Sequence, residues 1–117
     1  MNPSFLHKKC VPCEGGVPAL SKEQVLRYLK ETPSWKLSSD AKTLVAEYLM
    51  KDFLAAVELI GLMTQVAEQE GHHPDIHLTG YRRLKVELST HAIGGLTEND
   101  FILAAKIDRI PKKLKTP

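Results

Sequence analysis

Two pairs of short segments with alternating apolar residues constrain the fold of this chain most. Residues 35–37 and 43–50 form the first pair, and a polar turn at residues 38–40 separates them. Residues 76–79 and 84–89 form the second pair, around a turn that contains Gly80. Alternate side chains of a strand point to opposite faces. The two pairs therefore predict two half-buried antiparallel hairpins.

Helical segments with recognisable caps flank these strands. Ser21 can cap a first helix, with Gln24 at the reciprocal position of a capping box, and Thr97 can cap a last helix, with Asp100 at that position. Asp52 can cap a long middle helix. Its apolar face is predicted from residues that recur at helical spacing, namely Phe53, Val57, Ile60, Thr64 and Ala67. Gly71 is expected to end it.

The order of these elements predicts an α+β domain. A four-stranded antiparallel sheet carries three helices on one face, in the order α-β-β-α-β-β-α. The chain has 117 residues, enough for one domain. We expect an irregular leader at residues 1–19, the domain at 20–110, and a basic tail at 111–117 that is solvated and frayed rather than a phosphate-binding arm.

Composition and charge exclude several classes of protein. The formal net charge is only +2, with basic and acidic residues interspersed, so nucleic-acid binding is not expected. No apolar run is long enough to span a bilayer, and the N-terminus lacks the core of a signal peptide, so we expect a cytoplasmic protein without a membrane partner. Cys10 and Cys13 are better interpreted as reduced thiols than as half a zinc site or a redox dithiol.

Histidines are concentrated in one part of the chain. Four of the five lie between His72 and His91, and imidazole is the side chain that titrates near neutrality. His72 and His73 follow a helix end and precede Pro74, which restricts the backbone at His73. The sequence therefore predicts a stiff corner that presents two imidazoles.

Three further residues could support that corner. By strand parity His91 lies on the polar face at the end of the fourth strand, where a histidine alone is more often a surface residue. Glu68 lies one helical turn before His72 and could orient its ring, or it could be a solvated glutamate. Asp100 could complete the capping box, contribute to the site, or do both. Metal ligation is a minor alternative, because His73 and His77 flank Pro74 and cannot form a one-face helical pair.

The ordered set of these residues resembles the signature of the pterin-4a-carbinolamine dehydratases. The resemblance runs from about residue 20 to about residue 110 and includes Trp35 and the stretch 90–97. The leader around Cys10 and Cys13 is similar to that of some bacterial relatives. The matching positions are Glu68, His72, His73, Pro74, Tyr81, His91 and Asp100.

The resemblance implies loss of water from a 4a-hydroxytetrahydropterin, giving a quinonoid dihydropterin, without a metal or an organic cofactor. It assigns His72 and His91 to the proton transfers and His73 to holding the substrate. All three rings are then expected to line one cavity.

The resemblance also implies supporting residues and a self-assembled protein. Glu68 would orient the histidines, Asp100 would close the site, and Pro74 and Tyr81 would contact the pterin, although Tyr81 is better interpreted as a packing residue of the hairpin than as a pocket wall. Family members form homodimers through sheet edges and homotetramers through helices. Two alternatives stay open: a non-catalytic dimerisation cofactor for a transcription factor, and a pterin-site protein of molybdopterin metabolism.

Overall fold

The computed structural model describes residues 4–8, 10 and 19–116. The elements in chain order are α1 Ser4–His7, α2 Lys22–Leu29, β1 Lys36–Leu37, β2 Leu44–Leu49, α3 Phe53–Glu70, β3 Asp75–Thr79, β4 Arg83–Leu88 and α4 Glu98–Asp108.

The four strands form one antiparallel sheet in the order β1-β2-β4-β3. The predicted α+β class and the four-stranded antiparallel sheet are confirmed. The connection through α3 carries the chain to the far edge, so that β4 returns between β2 and β3. One face of the sheet is buried beneath the helices, through Leu44, Ala46, Leu84, Val86 and Leu88.

The predicted caps are present where the sequence places them. Ser21 Oγ accepts a hydrogen bond from the Gln24 backbone N–H at 3.2 Å, and the Gln24 side chain accepts one from the Ser21 N–H at 3.0 Å. Asp52 accepts from the Ala55 N–H at 2.8 Å at the start of α3. These bonds join residues three positions apart, which is why sequence alone suffices to find them.

The predicted buried face of α3 is wrong. Phe53 is 55% exposed and Val57 45% exposed, and of the predicted set only Ala67 is fully buried. The buried residues are Ala55, Ala56, Leu59, Met63 and Ala67. Both sets fit helical spacing because α3 is apolar on two sides, and packing against the sheet and α4 decides between them. No helix in the described ranges combines the length and apolarity needed to cross a membrane.

The leader contains a helical turn, which corrects the expectation that it is irregular throughout. α1 spans Ser4–His7, and Phe5 is buried against the rings of Tyr28 and Phe101, with centroids 5.0 and 5.9 Å away. Cys10 is buried and has a free thiol, whereas Cys13 lies outside the described residues. Phe5 and Cys10 therefore anchor this part of the leader to the domain.

The basic tail is docked rather than frayed. The Lys51 N–H donates to the Lys113 carbonyl at 2.9 Å, and the Lys115 N–H donates to the Leu49 carbonyl at 2.9 Å. The Lys112 ammonium donates to the carbonyls of Ile107 at 2.7 Å and Ile110 at 2.8 Å. The Lys112 ammonium thus adds hydrogen bonds to two carbonyls at and just beyond the end of α4, and this stabilises the tail.

Candidate active site

Strand register brings three loops to one end of the sheet. Leu44 pairs with Leu88, so the β1–β2 turn lies beside the residues that follow β4. Asp75 pairs with Glu87, so the chain that precedes β3 reaches the same end. The candidate histidines 72, 73 and 91 all belong to these loops.

His72 lies at the corner that the sequence predicts. Gly71 adopts a left-handed conformation, with φ of 66°, and ends α3. The His72 ring then reaches α4, where Nε2 lies 2.6 Å from Asp100 Oδ1. The His72 side chain is 12% exposed and the Asp100 side chain is fully buried, with 0% exposure. The pair is therefore shielded from water, which strengthens its hydrogen bond.

Asp100 connects this histidine to the loop that carries His91. Its Oδ2 accepts from the Thr90 hydroxyl at 2.9 Å and from the Thr97 backbone N–H at 3.0 Å. The two threonine hydroxyls are also 2.9 Å apart. Asp100 makes both contacts that its two predicted roles require, since it caps α4 and contacts the histidine corner. Its buried charge is compensated by hydrogen bonds on both oxygens.

His73 forms a second pair, on the surface. Its Nε2 lies 2.6 Å from Glu68 Oε2, with side-chain exposures of 62% and 69%. Glu68 therefore contacts His73, whereas the sequence places it one turn before His72 and favours that ring. The half-buried Pro74 follows directly and leads into β3.

His91 lies in a turn beyond β4 rather than in the strand, so the strand-parity argument does not apply to it. The Gly94 N–H donates to the carbonyls of Thr90 at 3.0 Å and His91 at 3.2 Å, which folds the turn tightly. His91 is exposed and lines a concavity of about 360 Å³ with Asp40, Lys42, Thr43, Ser89, Thr90, Gly94 and Gly95.

The corner histidines are not among the residues that line this concavity. This concavity therefore does not meet the expectation of a single cavity lined by all three histidine rings. What joins His72 to the His91 loop is the hydrogen-bonded path through Asp100 and Thr90.

Tyr81 is not brought to the histidines within one chain. It lies in the turn between β3 and β4 with φ of 56°, and it is 56% exposed. The histidine loops lie at the other end of that hairpin, about 16 Å away at 3.3 Å per residue over five residues. Its ring contacts the Arg82 guanidinium at 5.3 Å.

His77 belongs to the open face of the sheet. Its Nε2 lies 2.7 Å from Glu87 Oε1 on the neighbouring strand. Within the described ranges, no group of three or more histidine, cysteine or acidic side chains is arranged to hold a metal ion.

Sequence reasoning missed the role of the two threonines. Thr90 and Thr97 are buried, with 4% and 8% exposure, and both bond to Asp100. Thr97 is recognisable only as a cap and Thr90 only as the neighbour of His91. A threonine that ends an alternating strand on its buried side is the one local signal that such a hydroxyl needs a buried partner.

Comparison with known proteins identifies the family. The family model described as pterin 4 alpha carbinolamine dehydratase matches residues 18–110. The chain belongs to this family.

Individual relatives agree with this assignment. A Halorhodospira halophila protein provisionally named pterin-4-alpha-carbinolamine dehydratase is 44% identical over 107 residues, which cover 92% of this chain and 97% of the relative. An Arabidopsis thaliana protein, pterin-4-alpha-carbinolamine dehydratase 2, mitochondrial, is 43% identical over 106 residues, covering 88% of this chain and 57% of that protein.

Solved structures share the fold. The structure of a transcriptional coactivator/pterin dehydratase from Brucella melitensis aligns with a TM-score of 0.72 at 27% identity, covering 77% of this chain and 95% of the other. A pterin dehydratase-like protein described as a RuBisCO assembly factor in the alpha-carboxysome aligns with a TM-score of 0.54 at 18% identity, over 64% of this chain and 86% of that one. At that identity the second likeness concerns the fold alone.

Proposed function

We propose that this chain catalyses the dehydration of a 4a-hydroxytetrahydropterin to the quinonoid dihydropterin by histidine acid–base chemistry. The observation that carries the proposal is the path from His72 through Asp100 to Thr90, next to His91. It connects His72, through one buried carboxylate, to the loop that carries His91. The family supplies the substrate class.

The reaction needs one base and one acid. The base removes the proton from N5 of the pterin, and that electron pair forms the N5–C4a double bond. The C4a–O bond breaks at the same centre, and the acid protonates the departing hydroxyl, so that the products are water and the quinonoid dihydropterin. Positioned acid–base groups typically contribute about 10²- to 10⁴-fold in rate.

The geometry suits His72 to one of these transfers. Asp100 bonds its Nε2, which leaves Nδ1 for exchange with the substrate. A carboxylate in this position fixes the tautomer and stabilises the imidazolium that forms when the ring accepts a proton. His91, exposed at its concavity, takes the other transfer.

We assign His73 to substrate binding. Glu68 restrains its ring through the 2.6 Å contact, and the corner formed by Gly71 and Pro74 fixes the backbone on either side. Pro74 would contact the pterin beside it. Because Tyr81 lies at the other end of the hairpin, its contact with a pterin would require a second copy of the chain.

The direct test is a spectrophotometric assay of 4a-hydroxytetrahydropterin breakdown by the purified protein. We expect acceleration over the spontaneous reaction, and a loss of about 10²- to 10⁴-fold in His72→Ala and His91→Ala. His77→Ala is the matched control, because it removes a histidine that also faces a glutamate but lies on the open sheet face. Absence of any acceleration by the unmodified protein contradicts the proposal.

We further propose that the chain self-associates and acts in the cytoplasm on tetrahydrobiopterin-type substrates. The outer side of α3 exposes Phe53 at 55%, Leu54 at 67% and Val57 at 45%, and an apolar patch of this kind favours a partner. A second copy is the expected occupant, since β1 and β3 also leave open sheet edges. Sedimentation should give a dimer or tetramer that Leu54→Glu weakens; a monomer at micromolar concentration would contradict this part.

A further inference from the structure

Glu70, the last residue of α3, forms a buried charge pair two residues before His72. Its Oε2 lies 2.6 Å from the Lys106 ammonium of α4, and its Oε1 accepts a hydrogen bond from the Cys10 backbone N–H at 2.8 Å. The side chain of Glu70 is 7% exposed and that of Lys106 is 20% exposed. Three separate parts of the chain therefore meet at this carboxylate.

A glutamate in this position is unfavourable for α3 considered alone. The C-terminal end of a helix carries partial negative charge, and the last turn of α3 contains no basic residue. Burial adds a desolvation cost to the carboxylate. Lys106 and the Cys10 N–H offset these costs from outside the helix. The pair therefore depends on the correct docking of α4 and of the leader.

The His72–Asp100 contact joins the loop just beyond α3 to α4 as well. Asp100 and Lys106 are six residues apart, about 9 Å along α4. One contact on α4 thus involves the last residue of α3, and the other involves a residue two positions beyond it. Two contacts with α4, at Asp100 and at Lys106, define the position of the corner more narrowly than one contact can.

Two residues of the leader contact α4 on either side of Asp100 in sequence. The Cys10 thiol lies 3.6 Å from the Asn99 carbonyl, directly before Asp100, and Phe5 stacks on Phe101, directly after it. Burial, followed by the charge and hydrogen bond of Glu70, raises the pKa of the Cys10 thiol to about 12. Cys10 is therefore a neutral packing group at this point rather than a reactive thiolate.

We propose that Glu70 is a positioning residue that, together with Lys106 and the docked leader, holds His72 against Asp100. Its effect on turnover rests on the dehydratase function proposed above, whereas its effect on the geometry of His72 does not. Glu70 itself lies outside the candidate substrate contacts and acts through the end of α3.

The test compares Glu70→Ala and Glu70→Gln in the full-length chain. Two readouts are taken: steady-state kinetics, and the ¹⁵N chemical shifts of the His72 ring, with Asp100→Asn as the reference for an altered contact. Glu58→Ala is the matched control, because Glu58 also lies on α3 and pairs with a lysine, Lys113, at 3.4 Å, with exposures of 49% and 70%. Glutamine keeps the acceptor for Cys10 and the side-chain shape.

We expect Glu70→Ala to lower kcat by about 10- to 100-fold, with little change in KM, and to move the His72 shifts toward those of Asp100→Asn. Glu70→Gln should retain most of the kcat and of the His72 ring shifts of the unmodified protein, and Glu58→Ala should match the unmodified protein in both. A folded Glu70→Ala variant with unchanged His72 shifts overturns the proposal, whatever its stability. If Glu70→Ala does not fold, unchanged shifts in Lys106→Met overturn it instead. If the unmodified protein proves inactive, the dehydratase proposal fails and the ring shifts still decide the positioning role.

Discussion

The two corner histidines form carboxylate pairs of equal length in opposite environments. His72 and Asp100 lie 2.6 Å apart with exposures of 12% and 0%, and His73 and Glu68 lie 2.6 Å apart with exposures of 62% and 69%. The buried carboxylate has further donors in Thr90 and Thr97. Distance alone therefore does not distinguish the pairs.

Burial, rather than contact distance, therefore distinguishes the energetic contributions of the two neighbouring pairs. An exposed pair competes with water and counterions, and such pairs typically contribute about 0.2–1 kcal/mol. Loss of one partner of a buried pair costs about 3–5 kcal/mol, because an uncompensated group stays buried. We infer that the buried pair sets the chemistry and the exposed pair restrains a substrate contact.

The largest difference is expected in turnover. Asp100→Asn should lower kcat/KM by about 10²- to 10⁴-fold, because the substituted amide no longer stabilises the His72 imidazolium. Glu68→Gln should lower it by no more than about fivefold, equivalent to about 1 kcal/mol. The dehydration assay on both variants measures this contrast, and equal losses would remove the distinction between the pairs.

The next effect concerns exclusion of solvent from Cys10, which contacts Glu70 and the Asn99 carbonyl beside Asp100. With a pKa of about 12 against the ordinary 9.0, the Cys10 thiolate fraction at pH 9 should be about 500-fold lower in the folded protein than in the unfolded chain. Iodoacetamide labelling followed by mass spectrometry of a peptide containing Cys10 measures it. Labelling of the folded protein at the unfolded rate would show that this region is open to water.

The same shift gives a pH dependence of stability. Since folding raises this pKa, the contribution of the thiol to the free energy of unfolding is complete below pH 9 and declines as the pH rises toward about 12. Cys10→Ala should show a smaller decline over that interval than the unmodified protein in urea titrations. An identical decline in both proteins would contradict a raised pKa of the Cys10 thiol as the source of this pH dependence.

Stability should separate the two carboxylates. We expect Asp100→Ala to lower the free energy of unfolding by about 3–5 kcal/mol and Glu68→Ala by about 0.2–1 kcal/mol. Urea denaturation followed by circular dichroism measures both. A loss below about 1 kcal/mol for Asp100→Ala would show that the buried network is dispensable for folding.

The smallest effect is expected at the third pair, on the open sheet face. His77 and Glu87 lie 2.7 Å apart with exposures of 51% and 27%. Glu87→Gln should change the free energy of unfolding by about 0.2–1 kcal/mol, as for other cross-strand pairs, and leave kcat unchanged. A large kcat effect would place this face in the site and end its use as a control.

Local patterns predicted the elements well and the packing less well. The caps at Ser21, Asp52 and Thr97 and the alternating strands are where the sequence places them. The buried face of α3 is not, because Leu59 and Met63 fit the helical period as well as Phe53 and Val57 do. Such a choice depends on what packs against the helix, and no local pattern contains that information.

The candidate site was predicted as a set of residues rather than as a geometry. The positions of His72, His73, His91, Glu68 and Asp100 could be named from the sequence, and their loops do share one end of the sheet. Which carboxylate faces which ring could not be named, and Tyr81 lies at the opposite end of its hairpin. Glu70 gave no recognisable signal, and Thr90 gave only that of a threonine which ends an alternating strand on its buried side.

Local sequence patterns specify α2, α3, α4, the strands, the helix caps and the histidine-rich corner, because these depend on residues within about four positions of one another. Long-range packing alone fixes the pairing of His72 with Asp100, of Glu70 with Lys106 and of Cys10 with Glu70, across separations of 28, 36 and 60 residues. Contacts over such distances form only when the core packs. Burial, which decides how strongly each charge acts, is therefore a property of the folded chain.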